Sequence, residues 1–254
     1  MTQRLQGRTT LVTGSTSNIG RAIAAALAAE GAHVVVSGRD EERGRAVVDA
    51  LRAAGGAADF VRADLDGSSA ASRDLAERAL EVLGGRVDVL VNNAGIFPLH
   101  STADADDALV DRILAVNVKA PFFLTQALVP SMAAAGGGVV INLGSWVARL
   151  ALPSSPVYAS SKGAVETLTR AWSAELAAQN IRVNAISPGV VRDDEPDGTD
   201  ALETIMSGTP AGGSGRPDAI AAAAVYLASD DAAFVHGTVL DVDGGRTGVA
   251  VVAG

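Results

Sequence analysis

Three side chains in the second half of the sequence have types and spacing that could move a proton. Tyr158 and Lys162 lie four residues apart in YASSK, so on a helix they share one face. A phenol with its usual pKa of about 10 is a poor acid–base group near neutrality. An ammonium beside it favours the phenolate and lowers that value. The same lysine can reach a ribose hydroxyl. A YxxxK by itself is usually just the surface of an amphipathic helix. Ser145 adds weight, because it follows a predicted strand directly and Tyr158 begins the next element.

A second constellation is TGSTSNIG, Thr13 to Gly20, between a short apolar strand and an Ala-rich helix. The backbone N–H groups of such a turn, with a helix N-terminus behind them, suit a pyrophosphate. Gly14 would allow the sharp turn and Gly20 the close packing of helix on strand. The spacing is not GxGxxG, and a strand–turn–helix of small residues is equally a plain connection. Arg39 follows the second strand, with Ser37 near it. A dinucleotide fold often places an acid there for a ribose 2′-hydroxyl. A guanidinium pairs instead with a 2′-phosphate, or is simply solvated and paired with Asp40 or Glu42.

These residues need a frame, and the pattern supplies one. Strands are predicted at Thr10–Thr13, Val34–Ser37, Ala58–Ala63, Val87–Val91, Val139–Leu143, Ile181–Ile186 and Val239–Val242. Helices are predicted at Ile19–Glu30, Glu41–Ala54, Ser68–Leu83, Asp104–Ala135, Val157–Ala178 and Asp218–Ala228. Pro121 and Pro130 should break or kink the fourth of these. Strands separated by helices imply right-handed crossovers and a parallel sheet. The fold class is therefore α/β, one doubly wound Rossmann-type sheet of about seven strands flanked by helices. A single domain over residues 1–254 is expected, with a variable segment at about 190–216 that is rich in Asp, Gly, Thr and Pro. Ligands in this architecture bind beyond the carboxyl ends of the strands.

Composition narrows the partners. The chain has 254 residues, 48% of them hydrophobic, enough for a sizeable core. A net charge of −9 argues against nucleic acid and anionic membrane surfaces. There is no cysteine, which removes disulfides and thiolate chemistry and is compatible with reduced cytosol. The N-terminus carries no secretory h-region. Apolar runs such as Ala22–Ala29 are too short to span a bilayer. Cytoplasmic localisation is expected.

Taken together these residues resemble a short-chain dehydrogenase/reductase, of the 3-oxoacyl-carrier-protein-reductase-like or sugar and alcohol dehydrogenase kind. The resemblance runs from about Thr9 to Gly245. Its motifs here are TGSTSNIG, Asp64-Leu65, NNAG at Asn92–Gly95, Asn117, Ser145, YASSK, Pro188-Gly189 and VDGG at Val242–Gly245. It implies hydride transfer between a nicotinamide and a carbonyl or alcohol carbon. Tyr158 would be the acid–base residue, with Ser145 donating to the same substrate oxygen. Lys162 would lower the Tyr158 pKa and hold the nicotinamide ribose, and Asn117 would help hold a water relay to it. Gly14, Ser17, Asn18 and Ile19 would take the phosphates. Ser37 and Arg39 would favour NADP(H) over NAD(H). Asp64 and Leu65 would contact adenine. Asn92, Ala94 and Gly95 would form the adenine-ribose floor. Pro188, Gly189 and Val191 would line the nicotinamide side. A homotetramer through the two long helices is implied as well.

Two positions depart from the family. Asn18 stands where glycine is usual, and Asn is, after glycine, among the residues that enter left-handed backbone most readily. Its amide could add a donor near the phosphates. Asp193 stands where a Thr often touches the cofactor, and is followed by Asp194 and Glu195. An ionised acid cannot donate that bond, so Thr199 would have to substitute or the contact is missing.

Trp146, Phe97, Leu150 and Val190 are expected to join Ser145 and Tyr158 in an apolar substrate pocket. His33, His100 and His236 have no metal-ligand spacing, and no metal site is expected. Two other readings stand beside the reductase. One is a nucleotide-sensing module that binds without turnover, which the filled Ser145, Tyr158 and Lys162 positions disfavour. The other is a different doubly wound enzyme, such as a methyltransferase, which has no use for YxxxK.

Overall fold

The structure is a computed structural model that describes residues 3–150, 152–193 and 201–250. Its strands are β1 (Thr9–Thr13), β2 (His33–Gly38), β3 (Ala57–Arg62), β4 (Val89–Asn92), β5 (Gly138–Leu143), β6 (Ile181–Pro188) and β7 (Val239–Val242). Its helices are α1 (Asn18–Ala29), α2 (Glu41–Ala53), α3 (Ser69–Val82), α4 (Asp107–Leu114), α5 (Ala120–Ala134), α6 (Pro156–Leu176), α7 (Ala201–Ser207) and α8 (Pro217–Ala228). The strands pair in parallel in the order β3-β2-β1-β4-β5-β6-β7. Strand order reverses between β1 and β4, which makes the crevice beyond their carboxyl ends the expected ligand site.

The uninterrupted apolar runs are explained by a sheet covered on both faces. In β2, Val34 and Val36 enter one core and Val35 the other; Val89, Val91 and Leu90 of β4 divide the same way. The first core is completed by Ile23 and Leu27 of α1, Val47 of α2 and Ile220 of α8. The second is completed by Leu75 of α3, Leu124 and Leu128 of α5 and Trp172 of α6. Each wholly buried Leu or Ile contributes about 1.5–3 kcal/mol.

Local chemistry sets the element ends. Asp40, Ser68 and Asp106 cap α2, α3 and α4 by accepting from Arg43 N, Ala71 N and Leu109 N at 3.0, 3.1 and 2.8 Å. The Asp106 cap moves the start of the long helix to Asp107, later than the expected Asp104. That helix is broken where proline requires it. Residues Ala115–Lys119 form a π-helical turn, immediately before Pro121 at the start of α5. Pro121 has no N–H, and its ring crowds the carbonyl four residues back, that of Asn117. Pro130 stays inside α5.

One expectation needs correction. By length and composition the stretch Asp107–Ala134, 28 residues, is apolar enough to cross a membrane; Ala22–Ala29 was the wrong run to judge by. Its buried face, with Ala120, Leu124, Leu128 and Met132, packs on the sheet. The variable segment holds a short helix, α7, and its ends are pinned: Gly215 N donates to Val190 O at 2.9 Å and Arg192 N to Gly215 O at 3.0 Å.

Candidate active site

A cleft of about 1240 Å³ runs along the carboxyl ends of β1, β2, β4, β5 and β6. Gly14, Ser17, Asn18, Ile19, Ser37, Arg39, Asp64, Leu65, Ala94, Gly95, Pro188, Gly189 and Val191 all line it. At its other end are Ser145, Trp146, Phe97, Tyr158, Lys162 and Val190.

The glycine turn is built from backbone at close quarters. Gly14 has φ +61°, and a Cβ there would stand 2.8 Å from Ala94 Cα. A Cβ on Gly20 would overlap the Gly14 carbonyl oxygen and lie 2.5 Å from Asn93 Nδ2. Gly20 thus lets α1 approach the turn itself, rather than the strand as expected. Ser17 precedes α1 but makes no side-chain capping bond, which leaves first-turn N–H groups facing the cleft. Asn18 has φ +43°, the left-handed backbone expected for it. These features, two cradling glycines and a helix N-terminus, fit a pyrophosphate.

Asn92 does not line the cleft. Its Nδ2 donates to Thr125 Oγ1 at 3.2 Å and Asn142 Oδ1 at 2.9 Å, in a buried network that Asn142 extends to Thr169 at 2.9 Å. The side chain at the turn belongs to Asn93, which sequence reasoning passed over. Its Nδ2 donates to Thr13 O and Gly14 O at 2.9 and 3.0 Å, while Thr13 Oγ1 accepts from Asn93 N and Ala94 N at 3.1 and 3.0 Å. The signal was the strand period: at the end of β4 the consecutive Asn92 and Asn93 must point opposite ways.

Arg39 is exposed and its charged partner is neither Asp40 nor Glu42. Asp64 stands 4.0 Å from its Nε, across the end of β3. Asp40 is occupied as the α2 cap beside Arg43. Asp193 likewise has a cation of its own: Arg21, in the first turn of α1, donates to it at 2.9 Å. The acid that replaces the usual Thr therefore faces a guanidinium. Thr199, like Asp194 and Glu195, lies outside the described residues.

At the chemical end, Ser145 and Tyr158 both line the cleft, and the Ser145 hydroxyl is close enough to favour the phenolate. Phe97 packs on the Tyr158 ring with centroids 4.5 Å apart. Burial pushes the Tyr158 phenol above its ordinary value, and the Ser145 hydroxyl offsets this in part. The expected lowering by Lys162 is not what is found. Lys162 Nζ sits 5.7 Å from the Tyr158 ring centroid and donates to Leu143 O at 2.8 Å. Burial lowers Lys162 itself to about 8, with Glu166 acting the other way.

Asn117 lies in the π turn, behind the cleft wall rather than on it. Its Oδ1 accepts from Ile96 N at 2.9 Å, and its Nδ2 donates to Ile96 O and Ser161 Oγ at 3.0 and 3.1 Å. It ties the loop after β4 to the helix of Tyr158 and Lys162. Leu150 falls outside the cleft, because a 3-10 turn at Trp146–Ala148 carries the chain away; Val147 and Leu152 line it instead.

Comparison with known proteins agrees with this geometry. Residues 14–247 match the family described as Enoyl-(Acyl carrier protein) reductase. A galactitol 2-dehydrogenase (L-tagatose-forming) from Cereibacter sphaeroides is 40% identical over 252 residues, 96% of each chain. The 3-oxoacyl-(acyl-carrier-protein) reductase of Thermotoga maritima is 35% identical, over 95% of this chain and 98% of that one. A gluconate 5-dehydrogenase from Burkholderia cenocepacia, solved with NADP and tartrate, superposes with a TM-score of 0.90 at 34% identity, covering 98% of both chains. With a parallel sheet of this order, a glycine turn at its switch point and near full-length relatives, the chain belongs to the short-chain dehydrogenase/reductase family and is an oxidoreductase of the alcohol–carbonyl couple.

Proposed function

We propose that this protein is an NADP(H)-dependent reductase of a small ketone or aldehyde, with Tyr158 as its acid–base residue. The observation that carries the reading is that Ser145, Tyr158 and buried Lys162 line the same cleft as the Gly14–Gly20 turn. When bound, the nicotinamide supplies or accepts the hydride. Gly14, Ser17, Asn18 and Ile19 would hold its phosphates, and Pro188, Gly189 and Val191 would line its nicotinamide side. Arg39 would meet a 2′-phosphate, with Asp64 moderating its charge. The raised Tyr158 phenol keeps its proton at neutral pH, which suits a group that must give a proton to a developing alkoxide. Ser145 would donate to that same oxygen, where charge develops. Lys162 would bind the nicotinamide ribose and favour the departing proton's loss from Tyr158.

The test is a panel of sugar-derived, cyclic and 3-oxoacyl ketones, run with NADPH and NADH in parallel. NADPH-linked turnover is expected, with Tyr158→Phe lowering it by about 10²–10⁴-fold while NADPH still binds. Undiminished turnover in that variant, or a clear NADH preference, would each remove one part of the reading. Cofactor binding with no turnover on the whole panel would favour a sensing module. We also propose a homotetramer through α5 and α6, supported by an apolar groove of Phe122, Phe123, Ala164 and Leu168. Light scattering should return four times the 25.5 kDa chain mass; a monomer would reject it.

A further inference from the structure

Tyr158, Lys162 and Glu166 recur along α6 at four-residue spacing and share one face. Glu166 is 4% exposed. Its carboxylate reaches the end of β5, where the Ser145 backbone N–H faces it and a Cβ on Gly144 would stand 3.0 Å from Oε1. Oε2 lies 3.8 Å from Arg149 Nε. Arg149 is itself clamped: it donates through Nη1 to Asp241 Oδ2 on β7 at 2.8 Å, through Nη2 to Asp241 Oδ1, and to Ser187 Oγ at 3.0 Å.

A buried carboxylate is costly unless both oxygens are satisfied. Oε1 of Glu166 has no hydrogen-bond partner among the described residues, and its one ion pair is long. That is a poor arrangement for a carboxylate whose purpose is stability. What the position does offer is a negative charge one helical turn from Lys162. That ammonium has a hydrogen bond to Leu143 O, and burial works to discharge it.

We propose that Glu166 is a positioning residue of the active site: its carboxylate keeps Lys162 an ammonium and holds the Ser145 segment against the helix that carries Tyr158. The catalytic meaning rests on the proposed roles of Lys162 and Tyr158; the electrostatic part does not. The groups facing the carboxylate pull in both directions. Burial and Asp241 favour its protonated form, while Arg149, Arg170 and the Ser145 N–H favour the charge. Glu166 in turn raises Lys162 against the larger effect of burial.

The chain has two lysines, Lys119 and Lys162. Lysine labelled with ¹³C at the ε carbon therefore gives two signals in the full chain, with exposed Lys119 as control. Lys162 should titrate at about 8 in the unmutated protein. Glu166→Gln should lower that by about one unit, a tenfold loss of proton affinity, with Lys119 unmoved. Glu166→Asp should restore most of it. The alkaline limb of carbonyl reduction should move down with Lys162, since the ammonium is the low-pH form. An unshifted Lys162 in folded Glu166→Gln overturns the proposal. Should that variant not fold, the unmutated Lys162 signal decides: it must show a second inflection at acid pH, above the ordinary carboxylate range, as Glu166 takes its proton. A single-step titration overturns the proposal equally. Turnover surviving in Tyr158→Phe would overturn the reaction reading and leave this titration untouched.

Discussion

At the Gly14–Gly20 end the cleft is made of backbone packed on backbone, whereas at the Ser145–Leu152 end it is made of side chains carried by short turns. The first end has little room to vary. A Cβ on Gly14 would meet Ala94, one on Gly20 would meet Gly14, and Asn93 ties Gly14 to Thr13 of β1. What faces the cleft there is N–H groups that every sequence possesses, so the residue types matter chiefly for what they leave out. The second end is the reverse. Phe97, Trp146, Val147 and Leu152 present surfaces whose shape depends on identity, and Arg246 stacks 5.3 Å above Trp146 from behind. A rigid backbone wall and an adaptable side-chain wall are thus separated along one groove.

The sharpest way to break this contrast is Gly20→Ala. Its methyl would meet backbone that cannot yield, at a cost of about 3 kcal/mol, and NADPH affinity should fall about 100-fold in a fluorescence titration. Binding close to the parent's would mean the turn is softer than its contacts imply. At the other end, Phe97→Ala removes the ring that packs on Tyr158. It should raise KM for the carbonyl substrate by about two- to tenfold, in line with the roughly 0.5–1.5 kcal/mol of an aromatic pair, and leave NADPH affinity unchanged. A matching loss of NADPH affinity would show that the two ends are not separable. The smallest effect belongs to Asn18→Gly. Its left-handed backbone costs Asn about 1 kcal/mol or less, so NADPH affinity should change by less than about threefold and melting temperature should rise slightly. Loss of binding in that variant would assign the carboxamide a direct phosphate contact.

The same contrast governs what could be read in advance. The parallel sheet and its seven strands were legible because two-sided burial leaves continuous apolar runs, as in Val34–Val36; their order came only with the structure. Ser145, Tyr158 and Lys162 were legible because they follow strand ends or share a helix face. Asn92 and Leu150 misled for opposite reasons. Asn92 is a buried polar residue in a network that only the neighbouring strand reveals, through Asn142. Leu150 lies past a 3-10 turn whose direction no short-range pattern predicts. The Tyr158 phenol differs from expectation because spacing gives proximity but not desolvation, and here burial outweighs the one opposing influence, the Ser145 hydroxyl. Glu166 passed unnoticed although it extends the Tyr158–Lys162 spacing by one more turn. A carboxylate on a helix reads as solvated surface until the strand end opposite it is known.

The π turn at Ala115–Lys119 has one more consequence, which concerns phase. Ile113 and Met132 are both wholly buried, one on each side of that turn. Nineteen positions separate them, and a regular helix advancing about 100° per residue would leave them about 100° out of step. The extra residue taken up by the wider turn absorbs that discrepancy. The upstream half can then be keyed to the cleft while the downstream half is keyed to the sheet. Length is therefore read here as angle. A residue lost from 115–119 would not shorten a connection, as it would in a loop, but rotate one half of the helix against the other.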